Sequence, residues 1–237
     1  MFGASVCTIR ASEEGQSFKV LLSFFPTAAG ENVYSGNRKV QGALHVPDEG
    51  ISAEIMKITR SDPIPDILVI EPIVHLDGRG YFLELYHEAR YRGIIPARFV
   101  QDSHSFSLAG VLRGLHYQLG KPQGKLVSVI EGEIFDVAVD IRRGSPTFGA
   151  HAGVLLSAEN HRQVYIPEGF AHGFCVTGER ALVLYKCTAP YDPAEERGIR
   201  WDDPLLAIPW PISDPVLSPR DRVLPTLDTM REDELPM

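Results

Sequence analysis

The feature that most constrains the fold is a series of short apolar runs, rich in β-branched residues, that recur about every ten residues from position 67 onward. Gly, Pro and Asp turns separate these runs, and this pattern predicts an all-β sandwich or barrel. Two short segments, 88–92 and 157–160, look locally helical, and residues 131–133 read as a turn between two strands. The chain after Ala189 reads as an irregular tail. The predicted strands are residues 67–70, 81–86, 125–130, 134–141, 154–156, 163–166, 173–176 and 181–185.

Residues 1–55 differ from the rest of the chain. They hold scattered Gly, Ser and Glu with only short apolar stretches, and Met56 opens the more coherent sequence. We therefore expect an N-terminal extension of unknown role at 1–55 and a β-domain with its irregular tail at 56–237. An appended region, a flexible arm and a start codon chosen too early all fit the first segment.

Charge and cysteine usage restrict the class of partner. The formal net charge of −8 disfavours nucleic-acid binding, whereas a local Arg or Lys cluster can still hold a small anion. Three widely spaced cysteines without a CxxC motif favour a reducing cytoplasm. The apolar run at 20–25 is too short for a membrane span.

Two motifs carry candidate chemistry: GVLRGLHYQ at 110–118 and IPEGFAHG at 166–173. They resemble the two cupin motifs, but Gln118 stands where metal-binding cupins have a second histidine. The remaining imidazoles, His116 and His172, fall short of the three protein ligands usual for a catalytic zinc. We therefore expect no metal in the barrel. The alternative, that both are core histidines, is weakened by their motif positions beside glycines.

From about residue 67 to 224 the sequence resembles the dTDP-4-dehydrorhamnose 3,5-epimerases throughout. That resemblance implies a cupin-like jelly-roll barrel, or double-stranded β-helix, with a few short helices. It also implies an isomerase that needs no cofactor and inverts C3 and C5 of dTDP-4-dehydro-6-deoxyglucose through proton transfer next to the C4 ketone. The matching blocks are residues 77–82, 99–102, 111–116, 123–126, 135–142, 145–149, 156–160 and 166–174.

Such a reaction needs a base, a stabiliser for the enolate oxygen and an acid across the ring. By resemblance, His116 is the base, Asp221 its carboxylate partner and Tyr185 the acid. Lys125 matches the cation beside the C4 oxygen. Taken singly, Asp221 could be a solvated tail charge, Tyr185 a packing residue and Lys125 a strand-edge residue.

The resemblance also assigns the nucleotide end of the site. Arg113 and Arg79 are candidates for the diphosphate, which arginine binds with two parallel hydrogen bonds. Phe82 and Glu84 belong to a thymidine-side group that, in this family, reaches the neighbouring subunit of a homodimer. As an alternative, Arg79 is simply a turn residue in Asp-Gly-Arg-Gly.

Gln101, His172 and Tyr191 complete the expected substrate contacts. Two departures from the family pattern lie nearby: Ser103 replaces an Asn, and Pro190 occupies a usually aromatic position. Both leave the acid–base set intact, but they leave the exact sugar and the number of inverted carbons open. The alternatives are a single-site 3- or 5-epimerase, a catalytically silent sugar-binding cupin, and a metal-dependent cupin oxygenase or isomerase.

Overall fold

The computed structural model describes residues 56–237, and the expected extension at 1–55 lies outside the described residues. Strands are the main regular secondary structure of the described residues, as predicted. The strands are β1 Lys57–Arg60, β2 Leu68–Glu71, β3 Val74–Asp77, β4 Gly80–Leu83, β5 Gln101–Leu108, β6 Leu112–Gln118, β7 Lys125–Asp140, β8 His151–Ser157, β9 Gln163–Ile166, β10 Phe170–Cys187 and β11 Glu196–Gly198.

Nine of these strands form one antiparallel sheet in the order β1-β2-β9-β7-β10-β6-β11, with β5 added on β10 and β8 on β7. The remaining two, β3 and β4, pair only with each other as a separate hairpin. This arrangement confirms the prediction of an all-β fold. β10 pairs with β7 in both of its halves, with β6 through its first half and with β5 through its second half.

The predicted turn at 131–133 is wrong, because β7 runs without interruption from Lys125 to Asp140. Gly132 adopts φ +77°, and an added Cβ there would lie 1.8 Å from the carbonyl oxygen of Arg180. The register of β10 against β7 shifts between Val176 and Ala181, opposite this glycine. A glycine bulge therefore bends the strand without ending it.

The helical prediction is confirmed at α1, Glu88–Tyr91, and is wrong at 157–160. There Asn160 Oδ1 accepts hydrogen bonds from the backbone N–H groups of Ser157 and Arg162, which closes a tight turn at the end of β8. The tail carries three short 3-10 turns, Asp221–Val223, Leu227–Thr229 and Glu232–Glu234. Within the described part of the chain, no helix is long and apolar enough to cross a membrane.

The tail is packed onto the barrel, although the sequence suggested irregular chain. Ile199, Leu206, Leu227 and Leu235 join a buried cluster with apolar residues of β6, β7 and β10. Burying one such side chain contributes about 1.5–3 kcal/mol. The tail segment is thereby fixed against β6, where it can supply residues to a site.

Asp140 ends β7 as a buried anion with several donors. Its carboxylate accepts hydrogen bonds from Arg142 Nη2 at 2.7 Å, Ser145 Oγ at 2.6 Å and Thr147 Oγ1 at 2.7 Å. Burial raises the pKa of Asp140, but these hydrogen bonds outweigh burial and lower the pKa to about 2. The network ties the end of β7 to the loop before β8.

We expect Asp140→Asn to lower the free energy of unfolding by about 3–5 kcal/mol at neutral pH, because buried donors lose their anion. The wild-type contribution is complete above the ordinary aspartate pKa of 3.8 and is lost as pH falls toward about 2. Urea unfolding at several pH values measures both effects. The difference in unfolding free energy between wild type and variant should therefore become smaller as the pH falls. A difference that does not change with pH would show that the Asp140 charge does not stabilise the fold.

Candidate active site

A cavity of about 490 Å³ opens in the barrel and collects eight of the eleven predicted site residues. They come from β5, β6, β7, β10 and the tail, so strands distant in sequence build one chamber. Its lining residues are Gln101, Ser103, Arg113, His116, Gln123, Lys125, His172, Gly173, Phe174, Tyr185, Cys187, Tyr191, Glu196, Ser218, Arg220 and Asp221.

His116 on β6 is paired with Asp221 from the tail. Its Nε2 lies 2.8 Å from Asp221 Oδ1, and the Asp221 side chain is only 4% exposed. Burial raises the pKa of Asp221, but the hydrogen bond and the charge of His116 outweigh burial, so the net pKa is below its ordinary value. If Nε2 donates to this carboxylate, Nδ1 of the neutral ring is the proton acceptor.

A second histidine–carboxylate pair lies beside the first. His172 on β10 is opposite His116 in the β10–β6 register, and its Nε2 is 2.8 Å from Asp136 Oδ2 on β7. Burial lowers the pKa of His172, against the opposing effect of Asp136. His172 is therefore a buried, carboxylate-oriented imidazole, and its partner Asp136 was not among the predicted site residues.

Two glycines let the histidine strands approach closely. Gly114 adopts φ +116°, and an added Cβ would lie 2.6 Å from Gly173 Cα and 2.7 Å from the carbonyl oxygen of His172. Only glycine fits such a conformation and separation. The glycines of both sequence motifs thus have a structural role next to His116.

Lys125 begins β7 and pairs in register with Cys187, the last residue of β10. Burial lowers the pKa of Lys125, and the nearby Asp136 and Glu196 are among the groups that oppose this effect. A partly buried ammonium at a cavity is costly without an anion. The site therefore offers a cation that a substrate oxygen can neutralise.

Tyr185 presents its phenol from β10 into the same cavity. Burial raises its pKa to about 12, although a hydrogen bond with Ser105 lowers it in part. The ring also packs near Phe174, with the ring centroids 6.4 Å apart. Tyr185 is therefore a neutral phenol at physiological pH, available as a proton donor.

Part of the cavity wall is a cluster of three tail residues, Tyr191, Glu196 and Arg220. Glu196 accepts hydrogen bonds from Tyr191 OH at 2.7 Å and from Arg220. Burial raises the pKa of Glu196, but these hydrogen bonds outweigh burial and lower it overall. The backbone N–H of Tyr191 donates to Gln101 Oε1 at 2.8 Å, which links this cluster to β5.

Known proteins resemble this chain in both sequence and structure. A sequence profile described as dTDP-4-dehydrorhamnose 3,5-epimerase matches residues 61–229, which is more than half of the chain. The chain belongs to this family. The finding confirms the family, the cupin-type fold and the isomerase class expected from the sequence motifs.

Individual members of the epimerase family are similar to this chain over most of its described length. A dTDP-4-dehydrorhamnose 3,5-epimerase of Pseudomonas aeruginosa is 55% identical over 70% of this chain and 93% of its own length. One from Neisseria gonorrhoeae is 54% identical over 67% of this chain. The match covers 49% of that protein, so this chain spans about half of its length. The crystal structure of a dTDP-6-deoxy-D-glucose-3,5-epimerase from Legionella pneumophila, in complex with dTDP-4-keto-L-rhamnose, is 51% identical. It has a TM-score of 0.75 and covers 77% of this chain and 98% of that one.

Three predicted nucleotide-binding residues lie outside the epimerase cavity of this chain. Arg79 sits at the tip of the β3–β4 hairpin, is 91% exposed and pairs with Asp77 at 2.6 Å. Phe82 is 70% exposed on the same hairpin, and Glu84 pairs with Arg90 at 3.1 Å. Their roles in binding stay predictions.

Sequence reasoning missed three charged residues at the cavity, Asp136, Arg220 and Glu196, for different reasons. Asp136 left a signal, since it interrupts an apolar strand in the matching block 135–142. Arg220 left a signal only through its position, because it directly precedes the predicted Asp221. Glu196 left none, because it lies in the tail that was read as irregular. Within residues 56–237, no group of three or more His, Cys, Asp and Glu side chains is positioned to hold a metal ion.

We expect Gly114→Ala to destabilise the fold by about 2–4 kcal/mol and to displace His116, because a Cβ collides with the backbone of β10. Gly178→Ala is the matched control: it has nothing within 4 Å of its added Cβ. Thermal unfolding of both variants measures the difference. Equal stabilities of the two variants would show that β6 and β10 do not approach each other closely at Gly114.

Proposed function

We propose that this protein converts dTDP-4-dehydro-6-deoxyglucose to dTDP-4-dehydrorhamnose by inverting C3 and C5. The observation that carries the proposal is a single cavity lined by a carboxylate-paired imidazole, a neutral phenol and a partly buried lysine. These are a base, an acid and a stabiliser for a developing oxyanion. The names of the family members support the same substrate and reaction.

His116 is proposed to remove the proton next to the C4 ketone. An imidazole has an ordinary pKa near neutrality, and the ionised Asp221 stabilises the imidazolium that forms. The proton leaves as the C–H electron pair becomes the enolate, so carbon undergoes no net oxidation. No redox cofactor is needed for this step.

Lys125 is proposed to stabilise the enolate oxygen, because a desolvated ammonium interacts strongly with a new negative charge. Tyr185 is proposed to return a proton to carbon from the opposite face. Its protonated state through the neutral range suits a donor. His172 and Gln101 are proposed to contact the sugar or nucleotide, and Arg113 the diphosphate.

A homodimer is proposed to complete the nucleotide end of the site. The hairpin side chains of Arg79 and Phe82 are exposed in the single chain, as are Leu76 and Tyr81. Exposed aromatic and aliphatic side chains on one hairpin fit a contact with a second subunit. The buried free thiols Cys175 and Cys187 fit a reducing compartment such as the cytoplasm.

The reaction is tested by incubating the protein with dTDP-4-keto-6-deoxyglucose in D₂O and following the sugar by NMR. We expect deuterium at both C3 and C5 and an inverted product. Exchange and inversion at one carbon would instead identify a single-site epimerase. Binding without exchange would identify a silent sugar-binding cupin and contradict the proposal.

We expect His116→Ala to slow exchange and inversion together by about 10²–10⁴-fold, because both begin with removal of the same proton. His87→Ala, an exposed histidine outside the cavity, is the matched control. Progress curves in D₂O for both variants measure the effect. Near-normal turnover of the His116 variant would overturn its role as base.

Tyr185→Phe should reduce inversion more than exchange, since the base can still form the enolate while the opposite-face donor is lost. The ratio of inverted product to incorporated deuterium measures this directly. A proportional loss of both signals would count against Tyr185 as the acid.

The dimer is tested by mixing two inactive variants, Arg79→Ala and His116→Ala, under conditions that exchange subunits. If Arg79 serves the neighbouring site, each mixed dimer has one complete site, and roughly a quarter of wild-type activity should return. Each variant incubated alone is the control. Activity that stays at the level of the separate variants would place Arg79 outside the partner's site.

A further inference from the structure

The inward face of β5 carries serines at three alternate positions, 103, 105 and 107, while the residues between them are exposed. Two of these serines contact side chains of the proposed binding site. Gln101 Nε2 donates to Ser103 Oγ at 2.9 Å, and Arg113 Nε donates to Ser107 Oγ at 3.0 Å. Short hydroxyls on one strand face thus hold functional side chains.

The middle serine, Ser105, is hydrogen-bonded to the phenol of Tyr185. In the β5–β10 register, Tyr185 is opposite Ser103, and Ser105 is opposite Val183. Ser105 therefore reaches the phenol oxygen diagonally, from the neighbouring position on the same face. Ser103 lines the cavity, whereas Ser105 is not among its lining residues.

We propose that Ser105 is the positioning residue for the proton donor: its hydroxyl fixes the place of the Tyr185 oxygen and stabilises the phenolate left after proton transfer. This inference rests on the proposed role of Tyr185. It goes beyond that role, because it assigns the control of donor strength to a residue on another strand.

The proton transfer explains why such a residue is needed. The O–H bond of Tyr185 breaks, a C–H bond forms on the sugar, and the electron pair stays on the phenol oxygen. That charge arises where burial already disfavours it. Ser105 can then rotate its O–H toward the oxygen and donate, keeping its own proton, until the phenolate is reprotonated from solvent.

Neighbouring charges act on the same phenol. The charge of Arg113 favours the phenolate, and the charge of Asp136 disfavours it. Within the part of the chain that the structure describes, the hydrogen bond from Ser105 is the largest effect that favours the charged form. Removing the Ser105 hydroxyl should therefore weaken Tyr185 as an acid without removing the Tyr185 hydroxyl itself.

The test combines Ser105→Ala with Tyr185→Phe in a double-mutant cycle, read by NMR in D₂O with dTDP-4-keto-6-deoxyglucose. In the wild-type background we expect Ser105→Ala to lower inversion by roughly 10–100-fold, as for a lost hydrogen bond to a charged group. Exchange should fall less. In the Tyr185→Phe background the same substitution should have no further effect, because its target is already absent.

Two further variants separate hydrogen bonding from packing. Ser105→Thr retains the hydroxyl and should keep most of the inversion activity. Ser105→Cys keeps a similar size but offers a weak hydrogen-bond partner, so it should behave like Ser105→Ala. These two variants also decide the question if the alanine variant does not fold.

Equal losses from Ser105→Ala in both backgrounds would overturn the inference, since they would show a structural or direct substrate role. A Cys variant with full inversion activity would overturn it as well. Failure of the proposed function is distinguishable, because the wild-type protein itself would then exchange no C3 or C5 hydrogen.

Discussion

The antiparallel pairing of β7 with β10 is the interaction on which the site depends. Along this ladder, Lys125 lies opposite Cys187, and Asp136 lies opposite Phe174, two positions from His172. The bulge at Gly132 lets both strands bend while they remain paired on either side of it. A backbone ladder thus places an ammonium and an oriented imidazole in one chamber, while the pairing of β10 with β6 adds the second imidazole.

Much of the fold and part of the site could be predicted from the sequence. The short β-branched runs predicted an all-β architecture, and the two motifs placed His116 and His172 in one cavity. The glycines in those motifs are explained by the approach of Gly114 to Gly173, which leaves no space for a side chain. Here a local sequence signal corresponds directly to a local steric requirement.

The rest depends on contacts between distant residues. Gly132 in an apolar segment signals a turn or a bulge equally well, and only pairing with β10 selects the bulge. The sequence around Glu196 shows no strand pattern, yet Glu196 begins β11 and reaches the cavity through its pairing with Gln118 of β6. The Ser105–Tyr185 contact spans 80 positions. Periodicity carries no signal of such a pair, since serine on the inward face of a strand looks unremarkable.

The origin of the cavity wall in five separate parts of the chain has a consequence for how the protein acquires activity. Strands β5, β6, β7 and β10 and the tail segment around Asp221 meet only through pairings between positions far apart in sequence. Closing such large loops is slow, and no early local fragment contains both His116 and Tyr185. We therefore expect partly folded chains to be inactive. The regain of activity after dilution from denaturant should then follow the completion of the whole barrel.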